Sequence, residues 1–529
     1  MAITGSRRSD GSRFGSSAAR SCPRQGSGHV RRTVPIALGD PPCEGRASLG
    51  TCINILTESD LDRLAEATLS TLERAGVMYQ SDEILDALDR AGAEVDRATR
   101  RARLPRRLIE DILERQRADA GPAGPPAERR EPGPADGPLP GIHNQVAQFY
   151  YDHERRERRR ASRLDLVRMV QFGDALDARQ PVNQVLLMTD EPPLVEPLES
   201  LAVILEHTSR PGTIYPHFAS QFPYLEEIGE IWAGDPHRFL TGGIFMVSPL
   251  RMDRRACDYM AGMVRRGLHC GVGTQPVSGL SAPVTRAGTI VVGAAEILAG
   301  WAASTALNPE IRPLYGSICS GSVDMQTGNV TFCSPESMVQ DIGCIELFRR
   351  RLGGHVGVAG GSDYTSAKLP GYQAGFEKAF EAMATSAYTG GHPHLGAGLL
   401  DLGKMFSPLQ LLIDREFQSF LWRFSAGAPV DDDQIALDLI VSIGQGIGAS
   451  YLDSEHTLTH YRRSLWFPGL LDRRVWQGDR EEQCPDERLL ARAQAQFDAV
   501  MSRYRPPEVD RDMLARVRAV IGRARRELA

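Results

Sequence analysis

Apolar residues recur at helical spacing from residue 57 onward. Leu61, Leu64, Ala65, Thr68, Leu72 and Ala75 share one face, and Thr57 stands three residues before Asp60, the spacing of a capping box. Gly76 follows as a residue that can take the left-handed conformation closing a helix. Ser81 is placed to cap a second pattern carrying Ile84, Leu85, Leu88 and Ala91, closed by Gly92. Pro105 opens a third, with Leu108, Ile109, Ile112 and Leu113 inward. Residues 51–117 therefore read as an N-terminal helical region. From about 142 the period changes. Short apolar runs at 184–188, 213–217, 242–247, 270–274, 313–318, 355–359 and 394–399 alternate with helical patterns near 194–207, 222–233, 252–267, 285–306, 335–351, 372–388 and 407–424. Repeated strand–helix units predict a parallel sheet with helical crossovers. Seven visible strands favour an α/β fold of the (β/α)8 TIM-barrel type over an open sheet, with the eighth strand not placed. The barrel domain is expected over 142–480. The helical cap precedes it, and a C-terminal helical extension at 481–529 follows.

Two stretches cannot bury a core. Residues 1–50 are expected to be a disordered tail, rich in Arg, Ser and Gly with no apolar segment of the signal-peptide kind. Residues 118–141 are rich in Pro, Gly and Ala and read as a linker. The run from Thr289 to Leu307 mimics a membrane span, but Glu296 sits in its middle. A carboxylate at a bilayer centre costs about 2.5–3.5 kcal/mol on insertion scales. A buried helix held close to a sheet by Gly293 and Gly300 is the better account, and no membrane role is expected.

Composition narrows the function further. The 529 residues are 42% hydrophobic and 24% charged, with a formal net charge of -6. That balance is ordinary for a soluble globular protein, and without a global basic excess nucleic-acid binding is not expected to be its main role. The nine cysteines contain no C-x-x-C pair and read as reduced thiols of a cytoplasmic protein.

In a barrel, chemistry collects at the C-terminal ends of the strands. Asp190-Glu191, His217, Ser248-Pro249, Gln275-Pro276, Ser317, Gly360-Gly361-Ser362-Asp363 and Gly396-Ala397-Gly398 fall there. Tyr151, Tyr215, Phe245, Tyr315, Phe332 and Tyr364 lie near strand ends or loops, where aromatic faces can cage a quaternary ammonium, each contact contributing roughly 0.5–2 kcal/mol when desolvated. The competing account of each is an ordinary core anchor. His394 joins them as a candidate substrate contact. His392-x-His394 lacks further metal ligands of clear spacing, and no metal site is expected. Gly398-x4-Gly403-Lys404 ends in Met405 where a phosphate loop needs Ser or Thr. Asp235-Pro236-His237 has Leu240 where a cobalamin-binding motif needs Gly, so this chain is not expected to hold a corrinoid itself. No nucleotide fingerprint and no Gly-x-Ser-x-Gly elbow is present.

One ordered run of motifs carries a resemblance. It comprises Ser248-Pro249-Leu250, the segment Gln275-Pro276-Val277-Ser278-Gly279-Leu280-Ser281-Ala282-Pro283-Val284-Thr285-Arg286-Ala287-Gly288, and Glu296. It continues through Asn308-Pro309, Asp324-Met325-Gln326-Thr327-Gly328, Ser334-Pro335-Glu336, Gly360-Gly361-Ser362-Asp363 and Gln373-Ala374-Gly375-Phe376-Glu377-Lys378. With Leu72-Glu73-Arg74-Ala75-Gly76-Val77 nearer the N-terminus, the chain resembles the trimethylamine methyltransferase family. The resemblance implies a TIM barrel that moves a methyl group from a methylated amine to the Co(I) of a separate corrinoid protein. Gln275, Asp324, Glu336, Asp363 and Glu377, all within these motifs, are the catalytic candidates. The trimethylamine-specific members carry pyrrolysine, whereas this chain is written in the standard twenty residues. A quaternary amine such as a betaine is therefore the expected substrate. A homo-oligomer is compatible with the apolar helices. Two other readings stay open: a barrel enzyme of another class, such as a lyase or metal-dependent hydrolase, and a non-catalytic barrel that binds methylated amines.

Overall fold

The computed structural model describes residues 52–120, 137–360, 362–390, 393–444, 450–476, 478 and 485–528. The tail expected at 1–50, most of the linker expected at 118–141, Gly361 and His392 lie outside the described residues.

The helical patterns near the N-terminus form as their caps dictate. Helix Glu58–Arg74 begins in a capping box between Thr57 and Asp60, and Gly76 closes it at φ +62°. Helix Asp82–Arg90 follows, with the Ser81 hydroxyl accepting from the Ile84 N–H, and helix Arg106–Ala120 starts just after Pro105. This region is not purely helical. Strands Val77–Tyr79, Glu94–Asp96 and Arg101–Arg103 pair antiparallel, and Arg251–Met252 adds in parallel beside Val77–Tyr79. Runs of three residues are too short for an alternation pattern to show.

The main sheet is parallel, in the order His355–Val358, Tyr315–Ile318, Gly271–Thr274, Gly243–Phe245. On either side of it the ladder is carried by single parallel bridges: Ala147 with Leu186, Val182 with Pro211, and Ser362 with Leu395. Asn183 N–H donates to Ile142 O at 3.1 Å and Gln184 N–H to Thr213 O at 3.0 Å. The extended stretch 142–147 thus fills the place of a strand that its sequence did not announce. At the other end, Met405–Phe406 pairs in parallel with the start of Phe149–Asp152, so the last unit is hydrogen-bonded to the first.

Helix Arg286–Leu307 is the spine of the α layer. It is apolar enough to span a bilayer, yet 72% of its most apolar window is buried inside the protein. It packs against helices Glu58–Arg74, Asp82–Arg90, Arg106–Ala120, Arg254–Arg265 and Pro335–Leu347. Its glycines set the helix-to-sheet distance. A Cβ on Gly300 would lie 2.5 Å from Val272 and one on Gly293 would lie 2.6 Å from Ile318. Glu296, fully buried, explains its place on this helix. Its carboxylate accepts from Ser248 Oγ at 2.8 Å, from the Leu250 N–H at 2.8 Å and from Thr274 Oγ1, tying the helix to the Ser248-Pro249-Leu250 loop and to a strand end. Burial raises its pKa while these three donors pull it down.

Two C-terminal helices complete the described fold. Pro485–Met501 lies against Arg163–Leu176, with Phe497 on Phe172 at 4.8 Å between ring centroids. Arg511–Leu528 lies on Glu196–His207 and Phe222–Ala233, with Arg525 bonded to Glu191 and Glu199 at 2.6 and 2.7 Å.

Replacing Glu296 by Ala leaves the buried Thr274 hydroxyl and the half-buried Ser248 hydroxyl and Leu250 N–H without this acceptor. A loss of roughly 2–4 kcal/mol is expected, measured as a lower urea midpoint. A change below about 0.5 kcal/mol, the range of an ordinary surface substitution, would show that water replaces the carboxylate there.

Candidate active site

Three main-sheet strands end within a short distance of one another. Gly271–Thr274 leads into Gln275, Tyr315–Ile318 into Cys319 and Ser320, and His355–Val358 into the loop that carries Asp363 and Tyr364. The neighbouring helices turn acidic side chains toward these ends. Asp341, on helix Pro335–Leu347, accepts from the Ser320 N–H at 2.7 Å. Glu381, on helix Tyr372–Thr389, is buried among the carboxylates of Asp341, Asp363 and Glu377. Asp363 accepts from Gln145 Nε2 at 2.7 Å, and Gly396 sits so close that a Cβ there would lie 2.2 Å from the Asp363 Cα.

The electrostatics of this cluster are one-sided. Burial pushes Asp341 up to about 7. Burial also raises Asp363, with His394 and Lys378 pulling it back. Glu381 is raised well above the usual carboxylate range, by burial first and then by Asp341 and Asp363. Lys378 is fully buried, but its ammonium is already bonded to Asp414 at 2.7 Å. Asp414 in turn accepts from the Gly398 N–H at 2.8 Å and from Gln410 Nε2 at 2.7 Å. Meanwhile Asp363 Oδ1, Glu381 Oε2 and both polar atoms of the Gln340 amide are buried with no hydrogen-bond partner among the described residues. Such atoms are costly to bury unless something meets them.

Aromatic rings flank the acids. Tyr364 lies 5.9 Å from Phe332 between ring centroids. Two glycines make room for it: a Cβ on Gly403 would lie 2.3 Å from its ring and one on Gly360 would lie 2.9 Å away. Gly403 (φ +80°) and Gly398 (φ +77°) therefore serve a turn against an aromatic ring, which is why their spacing only approximates a phosphate loop. Phe245 covers Gly273, where a Cβ would meet its ring at 2.7 Å. Tyr215 donates to Gly243 O at 3.0 Å, and burial pushes its hydroxyl up to about 12. Cys319, bonded by Gln275, and Cys333 beside it are both pushed up by burial and then by nearby carboxylates, so neither is a ready thiolate.

The structure brings together Gln275, Asp363, Phe332 and Tyr364, with Tyr215 and Phe245 at the neighbouring strand ends. Glu377 is adjacent but holds the loop. It accepts from Thr365 Oγ1 at 2.6 Å, from the Ser366 N–H at 2.7 Å and from Gln373 Nε2 at 2.8 Å. His394 is exposed, with its ring 5.7 Å from that of His143. Tyr151 packs into a small apolar cluster with Ala367, Ala374, Leu400 and Met405. Asp324, Glu336 and Tyr315 stand elsewhere. Asp324 is exposed and holds a turn through the Gln326 N–H and the Thr327 hydroxyl, and Glu336 is exposed in the first turn of its helix. Tyr315 lies at the N-terminal end of its strand, against His269 and His355. The motif reading passed over Asp341, Glu381 and Gln145. A carboxylate set among the apolar positions of a helix was the available signal, as it had been for Glu296. Among the described residues, no group of three or more His, Cys, Asp or Glu side chains is arranged to hold a metal ion.

The fold and site define an α/β enzyme with an acidic, aromatic-flanked centre at its strand ends. The sequence model of the family described as "Trimethylamine methyltransferase (MTTB)" matches residues 46–529. The chain belongs to that family and is a methyltransferase. It is 25% identical to trimethylamine methyltransferase MttB of Desulfitobacterium hafniense, over 88% of this chain and 92% of that one. It is 24% identical to the glycine betaine methyltransferase of Desulfitobacterium hafniense strain Y51, over 90% and 98%. It is 30% identical to trimethylamine methyltransferase MttB2 of Methanosarcina mazei, over 57% and 60%. Among solved structures it aligns with Methanosarcina barkeri monomethylamine methyltransferase, MtmB, at a TM-score of 0.42 and 12% identity, over 84% of this chain and 94% of that one.

Two outcomes follow from the buried charges. Lys378→Met strands Asp414 without its counter-ion and is expected to cost about 3–5 kcal/mol, read as a loss of urea resistance. Asp341 has a folded pKa of about 7 against 3.8 unfolded, so the stability held by its proton is complete below about pH 4 and is lost as pH rises through 7. Asp341→Asn removes that slope. From pH 5 to 8 the variant is expected to gain on the wild type by roughly 2 kcal/mol, measured by denaturant unfolding at both pH values. Parallel curves would show that Asp341 stays ionised in the fold.

Proposed function

We propose that this chain takes a methyl group from a methylated, quaternary amine such as a betaine and passes it to the Co(I) of a corrinoid carried by a separate protein. Family membership supports the reaction class. The observation that carries the substrate class is the surplus of buried carboxylates: Asp341 and Asp363 lie close enough to raise Glu381, with Tyr364 beside them and Phe332 5.9 Å from its ring, while the nearby ammonium of Lys378 is engaged by Asp414. A cation brought beside these acids meets the carboxylate oxygens of Asp363 and Glu381 that have no partner among the described residues. Carboxylates and aromatic faces together offset the cost of removing an ammonium from water.

We also read the strand segments as a closed (β/α)8 barrel, the form expected from the sequence. The parallel bridges that extend the main sheet and the pairing of Met405–Phe406 with Phe149–Asp152 support closure. The strand ends would then form the mouth at which the methyl acceptor docks. The buried thiols, Cys257, Cys270, Cys319, Cys333 and Cys344, suit the reducing cytoplasm, which we propose as the location.

The protein's part is positioning and electrostatics. The corrinoid, when its carrier docks, supplies the nucleophile, so the chain needs no thiolate of its own; the raised Cys319 and Cys333 are consistent with that. Asp363, steadied by Gln145, and Glu381 hold the ammonium, and Tyr364 keeps water from the methyl groups. Bound cation stabilises the ionised acids, so binding expels a proton from the cluster. When the methyl group leaves, the substrate becomes a neutral amine, the acids lose their counter-charge, and a proton returns to them.

The test follows loss of Co(I) and gain of methyl-Co(III) with a reduced corrinoid protein and a panel of betaine, carnitine, choline and trimethylamine. One amine should support transfer. Glu381→Gln, similar in shape but neutral, should lower kcat/KM for that amine by roughly tenfold to a hundredfold, about 1.4–2.8 kcal/mol. The affinity should rise with pH up to about 7 as Asp341 ionises. Silence across the panel with several corrinoid proteins, or full activity in the Glu381→Gln variant, would overturn the reading. Choline against betaine asks whether the acidic site accepts a substrate with a carboxylate of its own.

A further inference from the structure

Strand alternation sends Val272, Thr274, Gly316 and Ile318 toward helix Arg286–Leu307. Val272 lies under Gly300, Ile318 under Gly293 and Thr274 on Glu296, and a Cβ on Gly316 would lie 2.7 Å from Ile297. The opposite face of the sheet carries Phe245, Gly273, Ser317 and Gly357 in one hydrogen-bonded row. In a parallel sheet covered on both faces such positions hold bulky apolar side chains. Here only Phe245 does, and its ring leans over Gly273. At Gly357 a Cβ would meet nothing within 4 Å. Phe245 and Gly357 keep accessible surface, whereas their neighbours Ile244, Val272, Thr274, Ile318 and Val358 are buried. Ser317 is 1% exposed, and its hydroxyl has no hydrogen-bond partner among the described residues. One row nearer the strand ends, on the same face, stand Gln275 and Cys319. Burial raises the Cys319 thiol first, and the carboxylates of Asp341 and Glu381 raise it further, so the acids lie close to this face.

We infer that the row Phe245, Gly273, Ser317 and Gly357 is the subsite for the fourth substituent of the ammonium, and that it takes a short neutral arm ending in a hydroxyl, as in choline, in preference to a carboxylate arm. The inference rests on the reading of the buried acids as an ammonium site, and it narrows that reading. Three N-methyl groups are small and alike, so selection falls to the fourth arm. The space at Gly357 gives it room, and the Phe245 ring gives its methylene groups an apolar wall. The Ser317 hydroxyl can donate to or accept from a hydroxyl at its end. A carboxylate in the same place would lie near Asp341 and Glu381, which carry its own sign when ionised, while the ammonium of Lys378 is already bonded to Asp414. A site that leaves a buried hydroxyl unpaired discriminates against an arm that cannot meet it.

Methyl transfer to a reduced corrinoid protein tests this with four cations: choline, glycine betaine, ethyltrimethylammonium and tetramethylammonium. Choline should exceed betaine and ethyltrimethylammonium in kcat/KM by at least about tenfold. Ser317→Ala should erase the preference for choline over ethyltrimethylammonium without lowering the urea midpoint, since the hydroxyl it removes has no partner among the described residues. Gly357→Val should weaken choline and ethyltrimethylammonium far more than tetramethylammonium. Calorimetric titration of the chain with the same cations, without corrinoid, separates the subsite from the reaction. Choline bound in preference to ethyltrimethylammonium, but with no methyl transfer from any of the four, would support the subsite and overturn the methyl-transfer reading. Betaine bound or turned over better than choline overturns the subsite. So does a Ser317→Ala protein that keeps the choline preference, and so does a chain that binds none of the four.

Discussion

The Lys378–Asp414 ion pair is sealed from water, and much of the site's arrangement depends on it. Asp414 anchors the Gly398 N–H at a turn and the Gln410 side chain on its own helix, while Lys378 reaches it from the neighbouring helix. The pair therefore joins two helices and a strand end at one point. Its second effect is electrical. With its ammonium bonded to Asp414, Lys378 lowers Asp363 and Glu381 only in part, and both stay raised. The remaining acids keep raised affinities for protons and a standing demand for a positive charge.

That demand links stability to function. Buried carboxylates without partners oppose folding, and a fold retains such groups where a ligand uses them. A tetra-alkylated ammonium has no N–H to donate, so hydrogen-bond geometry cannot select it. Charge surplus and aromatic surface can. The glycines at 360 and 403 keep Tyr364 beside the acids by leaving space where any side chain would strike its ring. Glu296 does comparable work farther back, converting an apolar helix into one that grips a loop and a strand end.

Much of this was legible before any coordinates. Caps at Thr57 and Ser81, terminators at Gly76 and Gly92, and the change from a helical to an alternating strand–helix rhythm near 142 are local signals, and they give local structure. Glu296 in an apolar run marked a buried helix for the same reason. The strands of the N-terminal region and the stretch 142–147 were not legible, because three to six residues carry too little periodicity. At the site, Gln275 and Asp363 stood out through their motifs, and Phe332 and Tyr364 as aromatics near strand ends or loops. Asp324 and Glu336 stood out equally and came to rest on the surface. A motif records that residues travel together in sequence, not which way each side chain faces.

By itself, then, the sequence determined the order of elements, the family and the reaction class, since all three rest on linear patterns of spacing and residue type. Tertiary structure alone decided which acids share a space. Asp341, Asp363 and Glu381 come from a helix, a loop and a second helix, and their pKa values are set by burial and by each other. Those are properties of distance in three dimensions, and no spacing along the chain encodes them. The same holds for helices Leu437–Gly444 and Glu455–Ser464. Their apolar residues look like core in the sequence, and only the folded chain shows that they have been left uncovered.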